Sequence, residues 1–326
     1  MNFFVRESRL EDAPQIQELG QEFLLGNLSS KISNIEKRIQ ISQDSFNKKL
    51  PKEARIFLFV LEDRKQKKLL GSSQILASFN KKNHPYFMMV KEEGETYLKL
   101  EKDLKGKNQL GGLVLHSAYR GTKDKLGLLL AASRLLYIRP NLEEFSETLE
   151  VNLTAPFSQQ GRYNAFWQEV GRKYIDKDLK DILEMYGRQK ETFFENFPKE
   201  FRIPLKSLSQ KAQESLTMVH PETQAAYQAL LKLGFYPVGK HHFIDGALYL
   251  EAQTREIPFI SQSCSARLKL QSSSQKARYL VAQQTSKGFK SCFAEGSLKE
   301  GVFSLEQAIP FLEDNQEVWV YKKSIS

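Results

Sequence analysis

The chain has 326 residues, 40% apolar and 27% charged, with 48 basic against 39 acidic residues for a net charge of +9. That balance excludes disordered, collagen-like and low-complexity chains, and the length suits roughly two domains. Two cysteines, Cys264 and Cys292, are too few for a disulfide framework and point to a reducing cytoplasm. No apolar run approaches the about 18 residues of a membrane span, and the opening MNFFVRESRLEDAP lacks a signal-peptide core. The basic clusters at 63–69 and 99–107 are short or mixed with acids. A solvated basic surface is therefore expected, with no nucleic-acid and no membrane partner.

The pattern predicts a first strand at NFFVR, then a helix over SRLEDAPQIQEL. There Ser8 caps, Asp12 sits in the opening turn, and Ile16 and Leu19 form the apolar stripe. RIFLFVLE (55–62) and LLGSSQILASF read as a hairpin about a charged turn. LGGLVLH (110–116) is a further strand, and its adjacent Gly111 and Gly112 mark a bulge or a close approach by a ligand. YRGTKDKLG (119–127) leads into the apolar helix LLLAASRLLYI, which Pro140 ends. TLEVNLT is the next strand, and a long helical stretch fills 157–216. The helix AAYQALLKLG and the strands FYPVGKHHFI and ALYLEAQ follow. The pattern breaks near 253–265. Beyond it the chain is strand-like, with one short helix at SLEQAIPFLE.

The chemistry concentrates in two places. A glycine-containing turn entering a helix offers free N–H groups and the positive end of a helix dipole, which suits a pyrophosphate. Gly121 and Gly127 permit close approach there, and Arg120 adds a fixed charge; an ordinary strand–turn–helix explains the same residues. The second place is His220, before Pro221. Its ordinary pKa, about 6.5, fits proton transfer near neutrality, and a capping or packed histidine is the alternative. His116 reads as a loop residue, and Phe166 and Trp167 as core. His241 and His242 point to opposite faces of a strand and make a poor metal pair. No metal is expected, and both cysteines read as inert.

The order of these segments resembles the GCN5-related N-acetyltransferase architecture, and more closely the arginine N-succinyltransferase family. Shared features stand at FVLED (59–63), at Leu100, Asp103 and Gly106, and at Leu113, Leu115, Tyr119 and Arg120. They continue in GLLLAASR (127–134), FWQEVGRKY (166–174), SQKAQ (209–213), VHPET (219–223) and 230–252. The resemblance implies an α+β fold, a mixed, mostly antiparallel sheet flanked by helices. It places the acyltransferase domain at 1–255, with a helical insertion at about 157–216, and a small β-rich domain at 256–326. It also implies transfer of an acyl group from succinyl-CoA, or another acyl-CoA, to the α-amine of arginine or a related amine. No cofactor is permanently bound. The acyl-CoA is held along Leu113, Val114 and Leu115, between the strand at 111–116 and the splayed strand at 147–153, and His220 is the proton donor. A homodimer or an assembly with a related subunit stays open.

Several positions depart from the family pattern. Gln109 stands where an acid is common, and Leu115-His116-Ser117 replaces an LDP turn. Asn152-Leu153-Thr154-Ala155 replaces Glu-Met-Arg-Gly, and the loop between Arg120 and Gly127 is longer. These changes remove charges that could hold a substrate, so ornithine or another acceptor, and an acyl-CoA-binding member without turnover, remain alternatives.

Overall fold

The structure, a computed structural model, describes residues 2–21, 31–77, 84–103, 106–188, 197–198, 200–273 and 276–322. Strand β1 (Phe3–Glu7) passes through a 3-10 turn into α1 (Ala13–Gln21). Ile16 and Leu19 are buried on it. Ser8 does not cap this helix: its hydroxyl is buried and makes no hydrogen bond among the described residues. Arg9 holds the cap position instead, and its N–H donates to Asp12 Oδ2 at 2.7 Å. The Arg6 guanidinium draws Asp12 inward through two bonds of 2.7 and 2.8 Å, and a carboxylate so placed is a stronger acceptor than a serine hydroxyl.

Helix α2 (Ile32–Phe46) precedes the expected hairpin of β2 (Ile56–Asp63) and β3 (Lys68–Leu76). A second hairpin, β4 (His84–Glu92) and β5 (Glu95–Asp103), adds to the expected elements. Glu92 pairs with Glu95, so Glu93 and Gly94 form its two-residue turn. Both have positive φ, 50° and 84°, the type I′ geometry that suits strand twist. Strand β6 (Asn108–Leu115), helix α3 (Leu126–Ile138) and strand β7 (Thr148–Asn152) follow as predicted. The 157–216 stretch is less helical than expected. Among its described residues it holds α4 (Ala165–Val170), α5 (Leu179–Arg188), a short strand β8 (Arg202–Pro204) and α6 (Gln210–Thr217). Pro198 and Pro204 interrupt helix there, and β8 pairs with β5. Helix α7 (Gln224–Lys232) leads to β9 (Tyr236–His242) and β10 (Leu248–Gln253), then to α8 (Pro258–Ser261).

The remainder is five strands: β11 (Cys264–Leu270), β12 (Ala277–Thr285), β13 (Gly288–Lys299), β14 (Val302–Leu305) and β15 (Glu317–Lys322). The helix expected at SLEQAIPFLE is absent: Ser304 and Leu305 end β14, and turns follow. Pro310 removes an amide donor and pushes its predecessor out of helical conformation, too much for so short a run.

The chain divides into two compact units: 1–77, 110–147 and 253–326 form the first, and 78–109 and 148–252 the second. In the first unit the order β12-β15-β11-β14-β13 is closed by β12–β13 pairing, and continues from β13 through β1, β2 and β3 to β6. Closing the ring leaves its strands no free edges. Its interior is filled by Val281, Phe303, Val318 and Val320, and Phe4 of β1 joins them. In the second unit β7, β10, β9, β4, β5 and β8 lie in that order. Asn108 and Gln109, the first residues of β6, pair in parallel with Leu149 and Glu150 of β7. Phe87, Phe166, Phe197, Phe201 and Phe243 pack ring to ring in its core, and Trp167 is fully buried, as expected of core. Among the described residues no helix is long and apolar enough to cross a membrane.

Candidate functional site

The first unit carries the predicted ligand strand and turn. Gly112 has φ +56°, and a Cβ there would lie 2.8 Å from Gln74 Nε2. Gly112 thus has the left-handed geometry of a bulge that favours a residue without a side chain, whereas a Cβ on Gly111 would meet only Gln74 and Leu76 side-chain atoms at 3.8 Å. Strand β3 approaches equally closely: a Cβ on Gly71 would lie 2.4 Å from the Val114 carbonyl oxygen. Leu113 is 39% exposed, whereas Val114 is buried and packs with Ile16, Ile35, Ile39 and Leu58. Of this pair, Leu113 presents its side chain outward and Val114 has only its backbone to offer a ligand.

Beyond Leu115 the chain turns tightly. His116 Nδ1 accepts from the Ala118 N–H at 3.3 Å, and Arg120 Nε donates back to the Leu115 carbonyl at 3.0 Å. Gly121 has φ +68°, with open space where a Cβ would stand. Lys125, also at positive φ, immediately precedes α3. Gly127 lies within the first turn of that helix rather than in the loop, and a Cβ there would meet only Leu115 Cδ2, at 3.7 Å. The N–H groups of Leu126, Gly127 and Leu128 have no acceptor inside the helix. Leu113, Val114, Leu115, Arg120, Gly121 and Gly127 are therefore gathered where β6 ends and α3 begins. Unsatisfied amides, the helix dipole and a guanidinium there favour an anion.

The second unit carries His220. Its N–H donates to the Thr154 carbonyl at 2.8 Å, just beyond β7. Its Nδ1 accepts from the Glu222 N–H at 3.3 Å, capping the 3-10 turn Pro221–Thr223 that precedes α7. The ring stacks on Phe157, centroids 4.2 Å apart and planes 12° from parallel. A nitrogen that accepts carries no proton, so the neutral ring holds its proton on Nε2. The histidine is thus capping and packed, and still keeps a proton-bearing nitrogen outside those contacts. Phe157 is a positioning residue with no local signal in the sequence, because it lies 63 positions from the ring it supports. His241 Nδ1 lies 3.3 Å from the Gly246 carbonyl, and burial lowers its pKa to about 4. His242 Nδ1 lies 2.6 Å from Asp245 Oδ1.

The departures from the family pattern occupy defined contacts. Gln109 is buried, with Nε2 3.5 Å from Glu150 Oε1. Glu150 is closed off from solvent, and Lys240 Nζ lies 2.5 Å from both Glu150 Oε2 and Asp103 Oδ2. The Tyr86 and Tyr249 rings flank that ammonium at 4.6 Å each. Asn152 Nδ2 donates to the Ala247 carbonyl at 3.5 Å. Cys292 is buried and its thiol pushed up to about 12 by burial, far from thiolate chemistry.

A family described as "Arginine N-succinyltransferase beta subunit" matches residues 3–259. The chain belongs to the arginine N-succinyltransferase family. The arginine N-succinyltransferase subunit alpha of Pseudomonas aeruginosa is 26% identical over 303 residues, 88% of each chain. The arginine N-succinyltransferase of Photorhabdus laumondii is 27% identical over 271 residues, 79% of this chain and 78% of its own. The solved structure of arginine/ornithine succinyltransferase subunit AI from Pseudomonas aeruginosa shares the fold, with a TM-score of 0.82 at 23% identity over 98% of both chains. The chain is accordingly an acyltransferase with an α+β fold, a mixed, mostly antiparallel sheet with helices and further C-terminal strands. Membership in the arginine N-succinyltransferase family implies an acyl-CoA as acyl donor and an amine as acceptor.

Proposed function

We propose that this chain transfers a succinyl group from succinyl-CoA to the α-amine of L-arginine, giving N2-succinylarginine and free CoA. The family match over residues 3–259 carries this reading. On it, the diphosphate of CoA lies against Arg120, Gly121 and the first turn of α3 with Gly127, and its pantetheine arm follows Leu113, Val114 and Leu115. The amine nitrogen attacks the thioester carbonyl, and the electron pair moves to oxygen. Strand amides released at the Gly111–Gly112 bulge meet that oxyanion. The attacking nitrogen sheds a proton, the C–S bond breaks as the tetrahedral adduct collapses, and the thiolate takes a proton from His220 Nε2, which the proton shed by the nitrogen replaces. The Glu222 N–H held by Nδ1 supports this role, because it keeps the proton on the nitrogen that must give it up. The reaction needs no resident metal or cofactor. On the same reading the enzyme works in the cytoplasm, as a homodimer or with a related subunit, and binds neither membrane nor nucleic acid.

The test is thiol release from succinyl-CoA with arginine, ornithine and other amines, for wild type and His220→Ala. The variant is expected to lose about 10²- to 10⁴-fold in kcat. Equal rates would remove His220 from the mechanism. A second reading, acyl-CoA binding without turnover, is favoured by Asn152, whose amide is engaged with a backbone carbonyl where the family has an acid. Thermal stabilisation by CoA with no product from any amine would select it.

A further inference from the structure

Helix α3 is buried along almost its whole length, yet one of its buried residues is Arg134. Its Nη1 donates to the carbonyls of Gln74 and Gly111, both at 3.2 Å, and its Nε to Ala131 at 3.3 Å. A second arginine, Arg38 of α2, donates from Nη1 to Gln74 Oε1 at 2.7 Å. The same Gln74 amide fills the space that a side chain at Gly112 would need. One glutamine thus ties two guanidinium groups to the double-glycine bulge, all within the first unit.

Neither arginine has a carboxylate partner among the described residues. Arg38 is half-buried and Arg134 buried, and the unit's buried arginines other than Arg134 do have such partners. Arg6 is held by Asp12 and Glu62, and Arg55 by Glu144 at 2.6 Å. Burial lowers the pKa of both Arg38 and Arg134, the latter to about 10, with no opposing charge to restore it. Both stay cationic at neutral pH. Carbonyl dipoles satisfy some of their donors but do not neutralise them, and a guanidinium kept from water without a counter-ion is costly. Arg38 Nε and Nη2 and Arg134 Nη2 donate to no protein acceptor among the described residues. Such donors match the planar, bidentate geometry of a carboxylate.

We propose that Arg38 and Arg134, joined through Gln74 at the Gly111–Gly112 bulge, bind a substrate carboxylate. Two substrates can bring that group: the far end of a dicarboxylic acyl chain on CoA, or the α-carboxylate of the acceptor amino acid. The identity of these substrates rests on the function proposed above; the two uncompensated cations do not. Such a site selects a succinyl over an uncharged acyl chain, or an amino acid over a simple amine.

The experiment is calorimetric binding to the full chain, which needs no turnover. Two pairs separate the sources: succinyl-CoA against butyryl-CoA, and arginine against agmatine with CoA present. Wild type should favour one carboxylate-bearing member, and Arg38→Gln should weaken that member alone by about 10- to 100-fold, the worth of a charge-assisted contact. Arg38→Lys should recover part of the loss. Arg134→Gln is a poorer probe, since it also frees two strand carbonyls and endangers folding. Wild-type indifference within both pairs, or an equal effect of Arg38→Gln on both members, would overturn the site while leaving acyl-CoA binding intact. Failure of both CoA thioesters to bind would sink the acyl-CoA reading, with the arginine–agmatine pair still deciding the site. Failure of all four ligands would sink both.

Discussion

At the scale of single residues, burial decides what each histidine does. His220 and His241 lie in the same unit, and both use Nδ1 for a local contact. His241 is enclosed at 2% exposure, and burial lowers its pKa to about 4, below the 6.5 of an unfolded chain. Between those values the unfolded chain binds a proton that the folded chain refuses. Stability is therefore complete above pH 6.5 and declines as pH falls toward 4. The expected loss attributable to this ring is about 3 kcal/mol across that window. Urea unfolding of wild type and His241→Gln at several pH values checks it: the difference between the two curves should narrow in favour of the variant as the solution is acidified. A constant offset would show that His241 titrates normally in the fold.

At the scale of elements, the strands and helices that present ligand groups were legible because each carries a local signature. Gly111 and Gly112 signalled the bulge, and the periodic LLLAASRLLYI signalled α3. What escaped was set by partners distant in sequence. Ser8 lost its cap to Asp12 because Arg6 pulls that carboxylate inward. Strand β8 exists because β5 offers it an edge, and Phe157 matters only through the ring stacked on it. Hairpin β4–β5 carries only half of a local signal: Gly94 suits a two-residue turn, but Glu93 is not among the residues that favour positive φ there. Gly71 is the sharpest test at this scale. Its neighbour is the Val114 main chain rather than a movable side chain, at 2.4 Å from a Cβ, with Leu130 Cδ2 at 3.0 Å. Gly71→Ala must push β3 away from β6 and should cost about 1–3 kcal/mol, read as a lowered denaturation midpoint with an unchanged m-value. It should also weaken CoA binding, since β6, the strand that β3 is pushed from, is the one proposed to hold the pantetheine. An alanine variant as stable as wild type would mean that β6 has room to give.

At the scale of the whole molecule, the segment after about residue 255 poses a folding question that composition could not settle. Its strands close into a ring with its own apolar filling, which suggests a separable piece. Yet the connections run deep into the first unit. Strand β13 pairs with β1 through Val5–Ser291 and Arg6–Lys290. Phe4 belongs to the ring's core. Phe289 packs edge-on against both Phe59 and Tyr137, centroids 5.4 Å away in each case. Removing 256–326 would leave β1 paired only with β2, open a long unpaired edge, and expose Phe4, Phe59 and Tyr137 to water. Each large aromatic so uncovered forfeits about 1.5–3 kcal/mol, and the sum rivals the 5–15 kcal/mol that holds an ordinary domain together. A chain ending at 255 is therefore expected to aggregate, or to melt without a cooperative transition, whereas 253–326 alone keeps its ring and unfolds cooperatively with modest stability. Circular-dichroism melts of the two fragments beside the intact chain decide the matter. If the 1–255 fragment melted cooperatively within a few degrees of the whole protein, the C-terminal ring would be an appendage, and the strand pairing at Val5 and Arg6 would contribute little to holding the acyltransferase together.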